Sequence, residues 1–235
     1  MLLWGRRAER QRGHPSTPGS LRAFTYDYRS VHLFILGPTG KTGRLLTAQA
    51  LARGHAITAF GRTPVTDGAL PAASCVVGSP MDADRLAAAM PMHDAVLSVL
   101  GTRRLGATSV LVDSAHAIIA AMQRARVRRL IVMSSSLVDA GGGWLTRALS
   151  KTLLRHTTDD QRAMEQLVVH SPCEWTVVRP AGLNDHERTG RYAASVTRPA
   201  TDMVVSRGDV ADLVLDTAER GTYIKEIVWV RGVRS

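Results

Sequence analysis

The stretch LFILGPTGKTGRLL, residues 33–46, joins an apolar run to a helical pattern through three evenly spaced glycines, Gly37, Gly40 and Gly43. The apolar run is typical of a buried strand, and the leucines that follow have the spacing of a helix over residues 42–53. One glycine permits the tight turn, one lets the backbone approach a pyrophosphate, and one lets helix and strand pack closely. The helix start offers free N–H groups and the positive end of its dipole. The motif therefore predicts a dinucleotide-binding loop.

A second phosphate-binding motif has to be considered, because Gly40-Lys41-Thr42 is similar to the end of a P-loop. A P-loop needs a further glycine five residues before its Gly-Lys pair, and Ile35 occupies that position. The sequence therefore excludes a nucleoside triphosphatase of this class. Lys41 is interpreted either as an added cation beside the pyrophosphate or as an exposed side chain at the helix start.

The end of the second predicted strand indicates which dinucleotide is bound. An NAD-binding protein commonly has Asp or Glu there to hold the ribose hydroxyls. This chain has Gly61-Arg62-Thr63, and its next acidic residue is Asp67. A guanidinium recognises phosphate through several donors, so Arg62 suits the 2′-phosphate of NADP, and Arg44 could assist. The sequence favours NADP (NADPH) over NAD, with an exposed loop arginine as the alternative interpretation of Arg62.

Short apolar runs alternate with helical patterns through the rest of the chain, which predicts a Rossmann-type α/β fold. The sheet is expected to be doubly wound and mostly parallel, with helices on both faces, in a single domain over residues 31–235. The predicted strands are 31–36, 56–60, 74–78, 94–101, 128–136, 174–180 and 224–230. The predicted helices are 42–53, 82–90, 108–126, a stretch reaching about 169, and 209–219.

Residues 1–30 differ from the rest of the chain, because they contain six arginines and only two acidic residues and show no apolar periodicity. We expect a flexible basic extension there. Two further interpretations stay open: an organelle transit peptide, and an over-extended translation start with the protein beginning near Val31.

The composition narrows the class of protein. The chain has 235 residues, 45% of them hydrophobic, a net charge of +10 and two cysteines. No apolar run reaches about 18 residues, so no membrane span is expected. Two cysteines are too few for a disulfide framework or a zinc site, which favours a cytoplasmic protein without a metal. The basic residues are scattered outside the extension, so no nucleic-acid partner is expected.

Several motifs beyond the glycine loop resemble one known family. They are SVLGTR after the fourth predicted strand, SSS after the fifth and TVVRPAGL after the sixth. Together with GPTGKTG and the arginine after the second strand, they resemble the atypical short-chain dehydrogenase/reductases. Within these, the chain is most similar to the NmrA-like and biliverdin reductase B (flavin reductase) group, over residues 31 to about 230.

This resemblance implies a set of site residues. The dinucleotide loop would contain Gly37, Thr39, Gly40, Thr42 and Gly43, with Arg62 for the 2′-phosphate. The turn along the cofactor would be Leu100, Gly101 and Thr102. Beside the nicotinamide would lie Ser134, Ser135 and Pro180, with Ser135 as the candidate catalytic residue. The alternative for these serines is a strand end that satisfies its own backbone.

The chain departs from the main branch of that superfamily, which uses a Tyr-x-x-x-Lys pair for proton donation. The two positions appear here as Thr157 and Gln161, and the histidines of the biliverdin reductase B group as Gln161 and Gly182. Ser79 replaces an Asp that contacts adenine in relatives. An unassisted serine is a poor acid, so the acceptor is expected to be a quinone, flavin or conjugated tetrapyrrole that takes its proton from solvent.

Two functions follow from this combination. The first is an NADPH-dependent reductase that acts on a small planar acceptor. The second is a non-catalytic NADP(H)-binding sensor of NmrA type, and an isomerase of nucleotide-linked sugars is disfavoured. We expect a monomer or homodimer and a mobile lid over 140–143. Asp159 and Asp160 are interpreted as a helix-start cap and not as general acids.

Overall fold

The computed structural model describes residues 30–65, 74–101, 109–139, 155–201 and 203–233. The predicted extension up to residue 29, Thr102 and the predicted lid over 140–143 lie outside these ranges. The strands are β1 His32–Leu36, β2 Ala56–Gly61, β3 Ser74–Val77, β4 Ala95–Ser98, β5 Arg129–Met133, β6 Glu174–Pro180, β7 Leu183–Asn184, β8 Tyr192–Ser195, β9 Val205–Ser206 and β10 Glu226–Gly232. The α-helices are α1 Lys41–Ala52, α2 Ala83–Ala89, α3 Val110–Ala125, α4 Arg155–Val169 and α5 Arg207–Arg220, and a 3-10 helix spans Ser136–Asp139.

Eight of these strands form one sheet in the order β3-β2-β1-β4-β5-β6-β10-β8. The first seven are parallel to one another, as the apolar runs predicted. The order in which successive strands join the sheet reverses between β1 and β4. β2 and β3 were added on one side of β1, and β4 and the later strands lie on its other side. Ligands of open parallel sheets bind at such a switch point, outside the carboxyl ends of the strands.

The edge strand β8 was not predicted from the sequence. It pairs antiparallel with β10, with Trp229 opposite Ser195. Its sequence YAAS is half-buried throughout and contains no apolar run, which explains why its pattern gives no strand signal. β7 and β9, two residues each, form a separate small parallel pair.

Helices cover both faces of the sheet. On one face, α2, α3 and α4 pack around Phe34, Phe60 and Leu130. On the other, α1 and α5 pack around Leu33, Ile35 and other apolar side chains that point away from the first set. Successive side chains of β1 point to opposite faces of the sheet, and residues 33–36 are all buried. This confirms the expectation of a sheet that is covered on both sides.

The carboxyl end of β5 is shorter than predicted. The strand ends at Met133, and the serines after it lead into the 3-10 helix. Ser134 still continues the ladder by one bond, since its N–H donates to the carbonyl of Val178 at 2.8 Å. No helix in the described part of the chain has the length and apolarity to cross a membrane.

Candidate functional site

The three glycines of the first loop have three different reasons to be glycine. Gly37 has φ of +81°, a left-handed conformation that side chains rarely adopt. At Gly43 an added Cβ would lie 2.0 Å from the carbonyl oxygen of Gly37, so helix α1 could not pack against the turn. At Gly40 an added Cβ would meet that same oxygen at 3.3 Å and nothing else within 4 Å. An added Cβ at Gly40 would therefore crowd only the turn itself.

The start of α1 is available to an anion. Gly40 is the N-cap residue and provides no side-chain cap, and the first turn contains no acidic residue. The first N–H groups of a helix have no intrahelical partner. Thr42 and Gly43 are buried, so their contribution is packing and backbone. Arg44 lies outside the loop, and its Nε donates to the carbonyl of Thr39 at 3.3 Å, which steadies the turn.

A cleft of about 380 Å³ opens at the carboxyl ends of β1, β2 and β4. It is lined by Gly37, Thr39, Gly40, Phe60, Gly61, Arg62, Thr63, Pro80, Val99, Leu100 and Gly101. The structure thus brings six of the predicted cofactor residues to one cavity: Gly37, Thr39, Gly40, Arg62, Leu100 and Gly101. None of the described residues that line it is acidic, and Arg62 is its single charged side chain among them.

Lys41 is not one of the residues that line this cleft. Its ammonium donates to the carboxylate of Asp185 at 2.6 Å, in an ion pair that solvent reaches. The hydrogen bond from Lys41 and the nearby charge of Arg207 lower the pKa of the Asp185 carboxyl. Lys41 therefore joins the start of α1 to the segment after β7, and this geometry favours the interpretation of Lys41 as an exposed side chain at the helix start.

Asp209, which was not predicted as a functional residue, organises the same segment. Its carboxylate is buried and accepts hydrogen bonds from the N–H groups of Thr189 and Gly190, at 2.9 and 2.8 Å. Ser206 caps α5 by accepting from the N–H of Asp209 at 3.0 Å. The spacing Ser-x-x-Asp at 206–209 resembles a capping box and could have indicated this role.

Ser134 and Ser135 lie at the carboxyl end of β5, outside the residues that line the cleft. The hydroxyl of Ser134 is buried and has no hydrogen-bond partner among the described residues. The hydroxyl oxygen of Ser135 accepts from the N–H of Leu137 at 3.2 Å, which satisfies the backbone of the 3-10 helix. Neither hydroxyl proton is donated to another described residue, so both serines could donate a hydrogen bond to a ligand.

A buried ion cluster fixes the neighbouring strand end and was also missed. Arg179, just before Pro180 in β6, donates to the two carboxylate oxygens of Glu165 at 3.0 and 2.5 Å. It also bonds Asp139 at the end of the 3-10 helix. Burial is the largest single effect on Arg179 and lowers its pKa, but the hydrogen bonds to Glu165 and Asp139 and the charges of these two carboxylates together raise the pKa overall. This guanidinium therefore connects β6, α4 and the segment that carries Ser134.

No proton-donating tyrosine lies among the described residues of this region. Thr157 and Gln161 are half-buried on α4, at the positions where a Tyr-Lys pair would stand. Tyr192 is on the opposite face of the sheet, where its hydroxyl donates to Asp212 at 3.3 Å. Burial and the nearby carboxylate of Asp212 raise its pKa. The described residues also contain no cluster that could hold a metal ion.

Comparison with known proteins agrees with this geometry. The model of a family described as NAD(P)H-binding matches residues 37–220. Among solved structures, a short-chain dehydrogenase/reductase from Veillonella parvula in complex with NADP is 19% identical, with a TM-score of 0.72, over 86% of this chain and 95% of that one. A Streptococcus pneumoniae protein, provisionally named an NADH-flavin reductase, is 20% identical, with a TM-score of 0.71, over 87% of this chain and 100% of that one. At these identities the likeness shows the shared fold.

Proposed function

Because the chain belongs to the NAD(P)H-binding family, we propose that it is an NADPH-dependent oxidoreductase that transfers a hydride to a planar acceptor. The acceptor class is a flavin, a quinone or a conjugated tetrapyrrole. The observation that supports the proposal most is the cleft at the strand ends, where the described lining residues include glycines of the turn and strand ends beside Arg62 and no carboxylate.

The choice of NADP over NAD rests on Arg62. This exposed side chain follows β2 and lines the cleft together with Thr63. A carboxylate in that place would hold a ribose diol and repel a 2′-phosphate, whereas a guanidinium attracts the phosphate through charge-assisted hydrogen bonds. The described lining therefore fits the phosphorylated cofactor better than the unphosphorylated one.

The residues of the chain would bind and orient, since the bound nicotinamide supplies the hydride. The turn of Gly37, Thr39 and Gly40 would receive the pyrophosphate, and the first N–H groups of α1 would hold it. The unpartnered hydroxyl of Ser134 offers a hydrogen bond to the nicotinamide end of the ligand. Pro180, held in place by its neighbour Arg179, would form the wall on the other side.

The acceptor class follows from the missing acid. A ketone needs a proton on its oxygen as the hydride arrives, which a tyrosine of lowered pKa normally gives. The described site offers threonine and glutamine at those positions, and the pKa of Tyr192 is raised. Acceptors whose reduced form is a stabilised anion take their proton from water and do not need such a residue.

The test is oxidation of NADPH, with NADH in parallel, by purified protein in the presence of flavins, quinones and biliverdin. In the variant Arg62→Met we expect the dissociation constant for NADPH to rise roughly 10- to 100-fold, the usual loss for a charged hydrogen bond, with NADH unaffected. The matched control is Arg124→Met, which removes the same charge from an exposed pair between the last turn of α3 and Asp84 of α2.

Equal use of NADH and NADPH by the wild-type protein would contradict the role of Arg62. Tight binding of NADPH without reduction of any acceptor would contradict the enzyme and favour the second candidate, a non-catalytic NADP(H) sensor. The observation that favours this second candidate is that Thr157 and Gln161 replace the Tyr-Lys pair, which a non-catalytic protein does not need.

A further inference from the structure

A second cavity, of about 250 Å³, lies near the other edge of the sheet. Residues of the paired strands β8 and β10 line it, together with residues 197–199 of the connection after β8. The side chains that carry chemistry in its lining are Ser195, Thr197, Arg198, Trp229 and Arg231.

The alternation of β10 explains how these groups come together. Val228 and Val230 belong to the core on the α1 and α5 face. Trp229 and Arg231 point to the opposite face, where Arg179 lies 5.2 Å from the centre of the Trp229 ring. The indole is thereby held between a fixed guanidinium and the cavity that it lines.

The lining offers donors and positive charge. Among the described residues, the Arg231 side chain bonds only the sulfur of Met203, at 3.8 Å, and the carbonyl of Gly232, at 3.3 Å. No described carboxylate lies within ion-pair distance of it. The indole N–H of Trp229 is buried and has no acceptor in the described part of the chain. Ser195 accepts a bond from the N–H of Thr197, so its own hydroxyl proton is left to donate.

A half-buried guanidinium without a carboxylate, beside an indole N–H and two hydroxyls, is chemically matched to an anion. Phosphate and carboxylate both accept several such hydrogen bonds, and arginine recognises both through paired donors. No acidic residue is among the described residues that line the cavity, so none of these residues competes with that anion.

The cavity is also within reach of the first site. Val230 of β10 pairs with Pro180, so Arg231 lies in the same strand, one residue beyond the position next to the expected nicotinamide wall. The end of β5, with Ser134, is two strands away, roughly 10 Å at the ordinary spacing of strands in a sheet. A planar acceptor over that wall would extend a charged side arm toward Arg231.

From these observations, and resting on the function proposed above, we infer that the Trp229–Arg231 cavity binds an anionic side group of the acceptor, a phosphate or a carboxylate. Flavin mononucleotide has a phosphate on its ribityl chain, and a linear tetrapyrrole has two propionates. Riboflavin and the dimethyl ester of biliverdin are the corresponding neutral molecules.

The experiment measures binding of these four ligands to the full chain, by flavin fluorescence or tetrapyrrole absorbance, with and without NADP⁺. We expect each anionic ligand to bind more tightly than its neutral partner. Arg231→Met should weaken binding of the anionic member about tenfold, the effect of one charged hydrogen bond, and leave the neutral member unchanged. Arg231→Lys should restore part of the loss. The control is Arg128→Met, which removes an equal charge from a side chain that is 79% exposed at the amino end of β5.

If only flavin mononucleotide binds more tightly than its neutral partner, the cavity binds phosphate. If only biliverdin does so, the cavity binds carboxylate. The inference is overturned if neither anionic ligand binds better than its neutral partner, or if Arg231→Met behaves like Arg128→Met. Turnover of NADPH is measured separately. Charge-dependent binding without turnover would support the anion site and contradict the proposed oxidoreductase function. Turnover with charge-independent binding would support the oxidoreductase function and contradict the anion site.

Discussion

His93 is buried at the amino-terminal edge of the sheet, away from both cavities. Its ring stacks on His32 at 4.0 Å between centres and meets Phe34 edge-on at 5.2 Å. Nδ1 lies 2.8 Å from the carbonyl of Met90, so this nitrogen carries the proton. Nε2 is buried and has no partner among the described residues. Burial therefore lowers the pKa of His93, with His32 adding to the effect, against the opposing pull of Asp94 and two backbone carbonyls.

A lowered pKa in the folded state makes stability depend on pH. Below the ordinary histidine value of about 6.5 the unfolded chain binds a proton that folded His93 does not, so the free energy of unfolding falls with the pH. We expect the contribution of neutral His93 to the free energy of unfolding to be complete above that pH and to be lost progressively as the pH falls below it. Urea unfolding of His93→Gln between about pH 7 and pH 5 should show a shallower dependence than the wild type. His116→Gln, on the exposed face of α3, is the control. Equal slopes for wild type and His93→Gln would exclude this histidine as the cause.

At the scale of one element, α3 depends on a residue that is far away in the sequence. The carboxylate of Asp160 accepts from the N–H groups of Leu111 and Val112, at 3.1 and 3.0 Å. Ser109, the N-cap residue of α3, makes no side-chain cap of its own. The interpretation of Asp160 as a cap is thus right in kind, but the helix that it caps is α3 and not its own. This bond also joins α4 to α3.

Removing that carboxylate should be costly. We expect Asp160→Ala to lower the free energy of unfolding by about 2 kcal/mol, because two helix N–H groups lose a charged acceptor in a buried place. Its neighbour provides the control: Asp159 is half-exposed and pairs with Arg162 at 3.0 Å, so Asp159→Ala should cost less than about 1 kcal/mol. Urea denaturation of the two variants measures the difference. Equal losses would show that the bonds to α3 contribute nothing special.

The parts of the fold that could be predicted are those with local causes. The close contact of Gly43 with Gly37 lies within seven residues, and the glycine pattern predicted both the loop and the helix after it. β8 has no such pattern, because only its pairing with β10 makes it a strand. The same limit applies to the site: the cleft residues follow strand ends, but the pair of Arg179 and Glu165 joins two elements with no shared spacing.

For the whole molecule, the cofactor should act as a stabilising ligand. A ligand that binds only the folded state at a concentration 100 times its dissociation constant adds about 2.7 kcal/mol of stability. For a chain of this size that corresponds to a rise of roughly 5–10 °C in melting temperature. We expect NADP⁺ to give this rise at concentrations where NAD⁺ gives little, because the cleft presents Arg62 and no described carboxylate.

Differential scanning fluorimetry of the full chain with each dinucleotide measures this difference. Adenosine 2′,5′-bisphosphate is a useful third ligand, since it carries the 2′-phosphate without the nicotinamide. Equal shifts with NAD⁺ and NADP⁺ at the same concentration would contradict the proposed preference.

The order of strands has a consequence for how the chain is made. β10 is the last strand of the described chain to leave the ribosome, yet it lies between β6 and β8. The sheet from β3 to β6 can pair during translation, whereas β8 has no neighbour until β10 emerges and inserts. During that interval β6 presents an open edge, the kind of surface that chaperones shield and that neighbouring nascent chains can join. Synonymous codons that slow translation between β8 and β10 would lengthen this interval without altering a single residue.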